Sequence, residues 1–243
     1  MKKTALILGA TSDIAQQLAY EFANNTFDLI LTSRQPDMLV PLAKDIENIT
    51  SVKVEVDSFD ALNTDSHDAF SAKYKDVDTV IVAFGYLGEQ ATAESSWEEC
   101  QQILHTNFTG AVSILNRFAN YFEERKAGSI IGISSVAGDK GKKSNYLYGS
   151  AKAGLSVYLQ GLRNRLYHSG VHVLTVKPGF VHTKMTQGMD LPELLTASPT
   201  QIARSIFNAY RKKANTLYSL PQWRMIMLII NAIPETVFKR LNM

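Results

Sequence analysis

Tyr148 and Lys152 stand four residues apart, and Ser135 precedes the tyrosine by thirteen positions. A phenol beside an ammonium is an acid–base group, because the positive charge favours phenolate and lowers the tyrosine pKa from about 10. A serine hydroxyl brought in front of that phenol polarises a carbonyl oxygen. Together the three side chains are the parts for moving a proton to or from an alcohol oxygen while another group moves a hydride. In a chain with ten Tyr, a Tyr-x-x-x-Lys pair is expected about once by accident. Tyr146 and Tyr158 find Ser150 and Leu162 at the same spacing, so the argument rests on the order of parts rather than on the pair.

That order needs particular elements to hold it. Ile130, Ile131 and Ile133 mark a strand that ends at Ser134-Ser135. A Gly/Lys/Ser-rich loop follows, and then a helix over residues 147–167, on which Tyr148 and Lys152 share one face. Residues 4–8 form a short apolar run suited to a buried parallel strand. Gly9-Ala10-Thr11-Ser12-Asp13-Ile14-Ala15 follows and opens a helix with Ile14, Leu18, Ala19 and Phe22 on one face. A tight turn from strand to helix points backbone N–H groups and the positive dipole end at an anion, usually a pyrophosphate. Further strands are predicted over 27–32, 52–56, 79–84 and 171–176, with a last short one starting at Leu217. One long helix is predicted over 97–124, with Asn107 and Gly110 inside it, and another over 199–211. Alternation of strand and helix predicts an α/β fold, a doubly wound parallel sheet with helices on both faces. No linker divides residues 1–243, so a single domain is expected. Gly9, Arg34, Asp57, Gly85, Ser135 and Pro178 all fall at or just after strand ends, where such a sheet binds its ligands. Their convergence argues for one cleft.

Composition excludes several classes of function. The net charge is +2, so neither a polyanion nor a nucleic acid is implied as a partner. Lys140, Lys142 and Lys143 read as solvated loop charges. Cys100 is alone, which rules out an internal disulfide and a thiolate metal site, and agrees with a reducing, cytoplasmic compartment. No metal is expected. Lys2-Lys3 precedes an apolar run that stops at Gly9, too short for a secretory segment.

With these parts in place, the chain resembles the short-chain dehydrogenase/reductase family over nearly its whole length, which implies a Rossmann-type fold. The family pattern of Asn, Ser and Tyr-x-x-x-Lys maps onto Asn107, Ser135, Tyr148 and Lys152. The thirteen-residue gap selects Ser135 over Ser134. The Pro-Gly after the sixth strand appears in Pro178-Gly179-Phe180-Val181-His182-Thr183. The resemblance implies a dinucleotide held by Gly9, Thr11, Ser12, Asp13, Ile14, Ser33, Arg34, Asp57, Ala83, Gly85, Tyr148, Lys152, Pro178, Gly179, Val181 and Thr183. In it, Asp57 would meet the adenine and Thr183 the nicotinamide carboxamide. It also implies that Asn107 distorts its helix and binds a water relaying protons to Lys152. The helices carrying Asn107 and Tyr148 would pair between subunits, in a homodimer or homotetramer.

Two departures stand out. The family loop Thr-Gly-x-x-x-Gly-x-Gly is here Leu8-Gly9-x-x-x-Asp13-x-Ala15, which either sets a carboxylate near the phosphates or lets Asp13 cap its own helix. The family's Asn-Asn-Ala-Gly is Val82-Ala83-Phe84-Gly85. The wording Gly-Ala-Thr-Ser-Asp-Ile-Ala, with Trp-Arg-x-Ile-Met near the end, is similar to reductases of the decaprenylphosphoryl 2-keto-ribose type.

Cofactor choice is read at the end of the second strand, where an acid selects NAD and an Arg accepts the 2′-phosphate of NADP. Ser33-Arg34 stands there, so NADP(H) is preferred over NAD(H); Asp37, after Pro36, reads as a first-turn charge. The expected reaction is reduction of a ketone by NADPH. Tyr148 donates the proton, Ser135 hydrogen-bonds the oxygen, and Lys152 lowers the Tyr148 pKa and holds the nicotinamide ribose. Two alternatives stay open: a sugar-nucleotide-modifying relative, and a catalytically silent dinucleotide sensor or scaffold.

Residues 217–243 form an apolar tail. Its run from Met225 to Ile233 is far short of the roughly 20 residues of a membrane span. Trp223, Arg224, Lys239 and Arg240 flank it, as at an interfacial helix or helix pair. It is read either as a peripheral contact through 221–241 with the inner membrane face, serving a lipid-linked or apolar carbonyl substrate, or as a cover over the substrate side or a subunit interface. Substrate contacts are expected from 84–95, 138–145 and 182–198.

Overall fold

The continuous burial of the central strands decides the architecture. In the computed structural model, which describes residues 2–241, Leu6 and Leu8 face one way and Ala5 and Ile7 the other, and all four are fully buried. A strand with both faces covered needs helices above and below it. β1 (Thr4–Leu8), α1 (Asp13–Asn24), β2 (Asp28–Ser33), α2 (Val40–Ile49), β3 (Val54–Ser58), α3 (His67–Lys73) and β4 (Thr79–Val82) make the first half. α4 (Gln90–Ala93), α5 (Trp97–Leu104), α6 (Gly110–Arg125), β5 (Ser129–Ile133), α7 (Tyr146–Leu166) and β6 (His172–Lys177) follow. The remainder is β7 (Phe180–Val181), β8 (Thr196–Ala197), α8 (Pro199–Arg211), β9 (Thr216–Tyr218), α9 (Pro221–Ala232) and α10 (Glu235–Phe238).

Seven strands pair in parallel in the order β3-β2-β1-β4-β5-β6-β9, and β7-β8 form a separate pair. The chain winds outward in both directions from β1 and β4, so a crevice opens beyond their carboxyl ends. α1, α2 and α8 close one face through Leu18, Phe22, Ile46, Ile202, Ile206 and Phe207. α6 and α7 close the other through Ile114, Leu115, Phe118, Leu155, Leu159 and Leu162. This is the doubly wound α/β fold expected.

Several element ends shift by one or two residues from those expected, β4 stopping at Val82 rather than at residue 84, and two differences bear on the site. β3 ends at Ser58 rather than at residue 56. The long helix over 97–124 is helical throughout, but His105–Thr109 is a π-helical stretch between α5 and α6. A π turn leaves a carbonyl without its usual partner. The Ile103 carbonyl accepts Asn107 Nδ2 at 2.8 Å instead.

Candidate active site

A cleft of about 410 Å³ runs along the carboxyl ends of the strands. Its floor is the turn after β1. Gly9 has φ +87°, and a Cβ there would lie 2.6 Å from the Phe84 backbone nitrogen, so only glycine fits. Ser12 is the N-cap of α1, its hydroxyl accepting from Ala15 N at 3.2 Å. The N–H groups of Thr11, Asp13 and Ile14 make no hydrogen bond to the protein among the described residues. Three free donors at a helix N-terminus fit a pyrophosphate. Asp13 does not cap its helix, because Ser12 already does. Its carboxylate accepts from Lys184 N at 2.7 Å and fastens the turn after β7 to α1.

All predicted cofactor positions but one line the cleft: Gly9, Thr11, Ser12, Asp13, Ile14, Ser33, Arg34, Ala83, Gly85, Tyr148, Lys152, Pro178, Gly179, Val181 and Thr183. At the end of β2, Ser33 Oγ accepts from Gln35 N at 3.1 Å, while Arg34 is exposed and makes no ion pair among the described residues. Asp37 lies in the short helical turn Pro36–Leu39, off the cleft wall.

Asp57 is the exception and corrects the reading made from the sequence. Tyr74 donates to its Oδ2 at 2.6 Å and Lys73 at 2.8 Å. Partial burial pushes its carboxyl up, but the hydrogen bonds from Lys73, Tyr74 and Ser58 N outweigh that and hold it below the usual range. Because β3 runs two residues further than expected, Phe59, Asp60, Ala61 and Leu62 form the wall there instead. Phe84, Tyr86, Gln102, Thr106, Lys184, Met185 and Thr186 also line the cleft. Phe84, Tyr86, Lys184, Met185 and Thr186 fall in the stretches 84–95 and 182–198 expected to touch substrate, though none was named as a site residue. Asp60 was within reach of the strand-end argument had the end of β3 been placed correctly. Gln102 and Thr106 announce themselves only through tertiary contact.

Ser135, Tyr148 and Lys152 come together on the wall between β5 and α7. The two neighbouring serines divide the work. Ser134 Oγ donates to the Lys152 carbonyl at 2.8 Å and meets Ser156 Oγ at 2.7 Å, which pins β5 to α7. Ser135 Oγ accepts from Ala137 N at 3.1 Å and stands beside the Tyr148 phenol. Lys152 is 3 % exposed, its Nζ donates to the Ile133 carbonyl at 3.0 Å, and it lies 5.6 Å from the Tyr148 ring centre.

The acid–base balance is the reverse of the expected one. Burial pushes the Tyr148 phenol up to about 12, and the Ser135 hydrogen bond opposes it only in part. Burial also brings Lys152 down to about 8. Desolvation disfavours both charged forms, and in the free protein it outweighs the help that an ammonium would give a phenolate.

Asn107 is 1 % exposed, so it is no surface residue of its helix. Its Nδ2 donates to Tyr86 O at 2.6 Å and its Oδ1 accepts from Tyr86 N at 3.2 Å, tying the π turn to the segment after β4. It stands behind the cleft wall, not on it. A Cβ on Gly85 would sit 3.1 Å from Asn107 Oδ1 and 3.5 Å from Lys152 Nζ, so these two side chains approach each other past the bare glycine.

Two contacts outside the cleft steady its far end. Lys177, at the end of β6, forms a buried ion pair with Asp139, which also accepts from Tyr218 Oη at 2.7 Å. Asp139 closes the short helical turn Val136–Gly138 that follows Ser135, and Val136 N donates to Pro178 O at 3.0 Å. Trp223 of α9 packs closely on Gly179, where a Cβ would come within 2.0 Å of the indole. The tail therefore backs the cleft end at Pro178-Gly179, with none of its own residues on the cleft wall.

Comparison with known proteins bears on the family and the fold. A family model described as short chain dehydrogenase matches residues 3–193. An uncharacterized oxidoreductase of Mycobacterium tuberculosis is 31% identical over 240 residues, covering 97% of this chain and 96% of its own length. An uncharacterized oxidoreductase of Streptomyces coelicolor is 32% identical over 244 residues, covering 98% and 96%. Among solved structures, a short-chain dehydrogenase from Sphingobium yanoikuyae in complex with NADPH superimposes with a TM-score of 0.84 at 22% identity, covering 96% of this chain and 97% of that one.

Proposed function

The chain belongs to the short-chain dehydrogenase family of NAD(P)-dependent oxidoreductases, and from that premise we propose that it is an NADPH-dependent ketone reductase, or in reverse an alcohol dehydrogenase. When bound, the nicotinamide supplies the hydride. The remaining work falls to this chain. Tyr148, a neutral phenol at physiological pH, gives its proton to the ketone oxygen as charge develops there. Ser135 donates a hydrogen bond to the same oxygen. Lys152, with a pKa near 8, hands a proton back to Tyr148 and holds the ribose by its ammonium. Asn107 fixes the segment carrying Gly85 and Tyr86, which keeps the space beside Lys152 open for a proton-relaying water.

The observation that carries this reading is the buried Tyr148 beside Ser135, one helical turn from Lys152, on the wall of the cleft at the strand ends. Tyr148→Phe should lower NADPH-linked ketone turnover by about a hundredfold or more while NADPH affinity, read by calorimetry, falls by far less. Retention of more than a few per cent of turnover would remove the proton donor from the scheme.

Preference for NADP(H) is supported by Arg34, free and exposed at the end of β2, and by Ser33 where an acid would repel the phosphate. A ketone on an apolar or lipid-linked molecule suits the apolar backing that Trp223 and α9 give the cleft end. We also propose a homo-oligomer joined through the outer faces of α5, α6 and α7, where Trp97 and Val157 are exposed.

A further inference from the structure

α9 is apolar on two opposite sides, and only one of them is used. Trp223, Met227 and Ile230 face inward and pack with Val136 and Phe238. Met225, Leu228, Ile229 and Ala232 are exposed, at spacings of three, four and seven residues, which places them in one stripe on the other side. A helix of a water-facing surface normally carries polar residues there. Val237 and Leu241 extend the stripe beyond α9. The loop between β7 and β8 packs against the inner side of α9: Trp223 Nε1 donates to Leu195 O at 2.9 Å, and Met185, Met189 and Leu194 on that loop are exposed, Leu194 at 87%. Two touching segments beside the cleft thus each carry exposed apolar side chains. Such exposure marks an interaction surface.

Charge selects what it touches. Arg224, Lys239 and Arg240 are exposed around the stripe, and α9 itself contains no acid. Glu235 is answered by Lys140 at 3.7 Å, and Lys140 also lies 4.6 Å from the Phe238 ring centre, so the basic loop 140–143 adds Lys143 to the same rim. Asp190 and Glu193 are the acids on the neighbouring loop. The exposed cations Lys143, Arg224, Lys239 and Arg240 outnumber the two loop acids, so a copy of the same surface would leave cations unanswered. An anionic lipid surface answers both halves of the pattern, with acyl chains for the stripe and headgroup phosphates for the rim. No helix among the described residues is long and apolar enough to cross a membrane, so the contact lies in the interface.

We propose that the outer face of α9, with Val237, Leu241 and the tip of the β7–β8 loop, docks this protein on anionic phospholipid membranes, with the cleft end backed by Trp223 turned toward the bilayer. The inference stands apart from the choice of ketone, and its test needs no turnover. Full-length protein is floated with vesicles of phosphatidylglycerol and phosphatidylcholine in equal parts, and with phosphatidylcholine alone. Wild type should float with the mixed vesicles and not with the neutral ones. Leu228→Gln/Ile229→Gln should cut the floated fraction about tenfold, since it removes apolar insertion without adding charge. Arg224→Gln/Lys239→Gln should weaken flotation by removing headgroup contacts. Because all four positions are exposed, each variant should keep the wild-type melting temperature and NADPH affinity. The proposal is overturned if wild type fails to float, if the Leu228/Ile229 variant floats as well as wild type, or if that variant sediments at a lower mass than wild type, which would make the stripe a contact between copies.

Discussion

A lysine sealed from water with one carbonyl for a partner is a thermodynamic burden, and Lys152 carries it in order to work. Its pKa falls from 10.5 to about 8 on folding, so the unfolded chain binds more protons between those values. Stability therefore rises with pH across that window, and below it the buried charge costs about 3 kcal/mol. Lys152→Met should abolish turnover and also flatten this rise. Urea unfolding at pH 7 and again near pH 10 should show the variant's advantage over wild type shrinking by about 3 kcal/mol, around a constant penalty for the orphaned Ile133 carbonyl. In the wild type, kcat/KM for ketone reduction should fall as pH rises past about 8, where Lys152 loses its proton in the free enzyme. At this scale the sequence was informative about identity and silent about environment. The family spacing picked out Ser135, Tyr148 and Lys152 and passed over Ser134, whose part in pinning β5 to α7 only the structure shows. Nothing in the string said that burial would raise the phenol rather than let Lys152 lower it, because burial is made by residues far along the chain. Asp57 failed for the same reason: Lys73 and Tyr74, on and just after α3, take its carboxylate away from the cleft.

Elements hold these residues by a few contacts that can be cut. The loop after β5 presents Ser135, and it is moored at Asp139 by Lys177 of β6 and Tyr218 of β9. Both ends of the ion pair are largely desolvated, at 11% and 6% side-chain exposure. Removing one member leaves a buried charge, which costs about 3–5 kcal/mol. Lys177→Met should lower the unfolding free energy by that amount and slow turnover through a loosened Ser135. Lys177→Met/Asp139→Leu should recover most of the stability, which would show that the orphaned charge rather than the lost pair was responsible. Strands and helices were legible from apolar runs and their periods, to within two residues at most ends. That error was absent at β1, harmless at β6, and decisive at β3, where it moved the cleft wall from Asp57 to Asp60. The π turn around Asn107 was implied by the family pattern alone, since its cause is a hydrogen bond to the Tyr86 segment that no local rule anticipates.

The molecule as a whole is two half-sheets that meet at β1 and β4, with the ligand cleft across the seam. A dinucleotide lying there touches both halves, so its binding energy adds directly to global stability. NADPH at about a hundred times its Kd should add about 2.7 kcal/mol, which for a chain of this size is a rise of about 5–10 °C in melting temperature. NADH at the same concentration should raise it less, and Arg34→Ala should erase the difference between the two. The doubly wound plan was plain from strand and helix alternation. The tail was not: its apolar composition was evident, but only the packing of Trp223, Met227 and Ile230 separates the side that belongs to the core from the side left outside.

The two indoles of this chain stand in opposite surroundings. Trp97 is 63% exposed on α5, and Trp223 is 4% exposed against Gly179, behind the cleft end. The protein therefore carries its own optical gauge. Emission from Trp223 should lie to the blue and be quenched when reduced dinucleotide fills the cleft, while Trp97, on the outer face of α5, lies away from the cleft wall. Trp97→Phe would leave a single-colour reporter of occupancy, readable without any substrate.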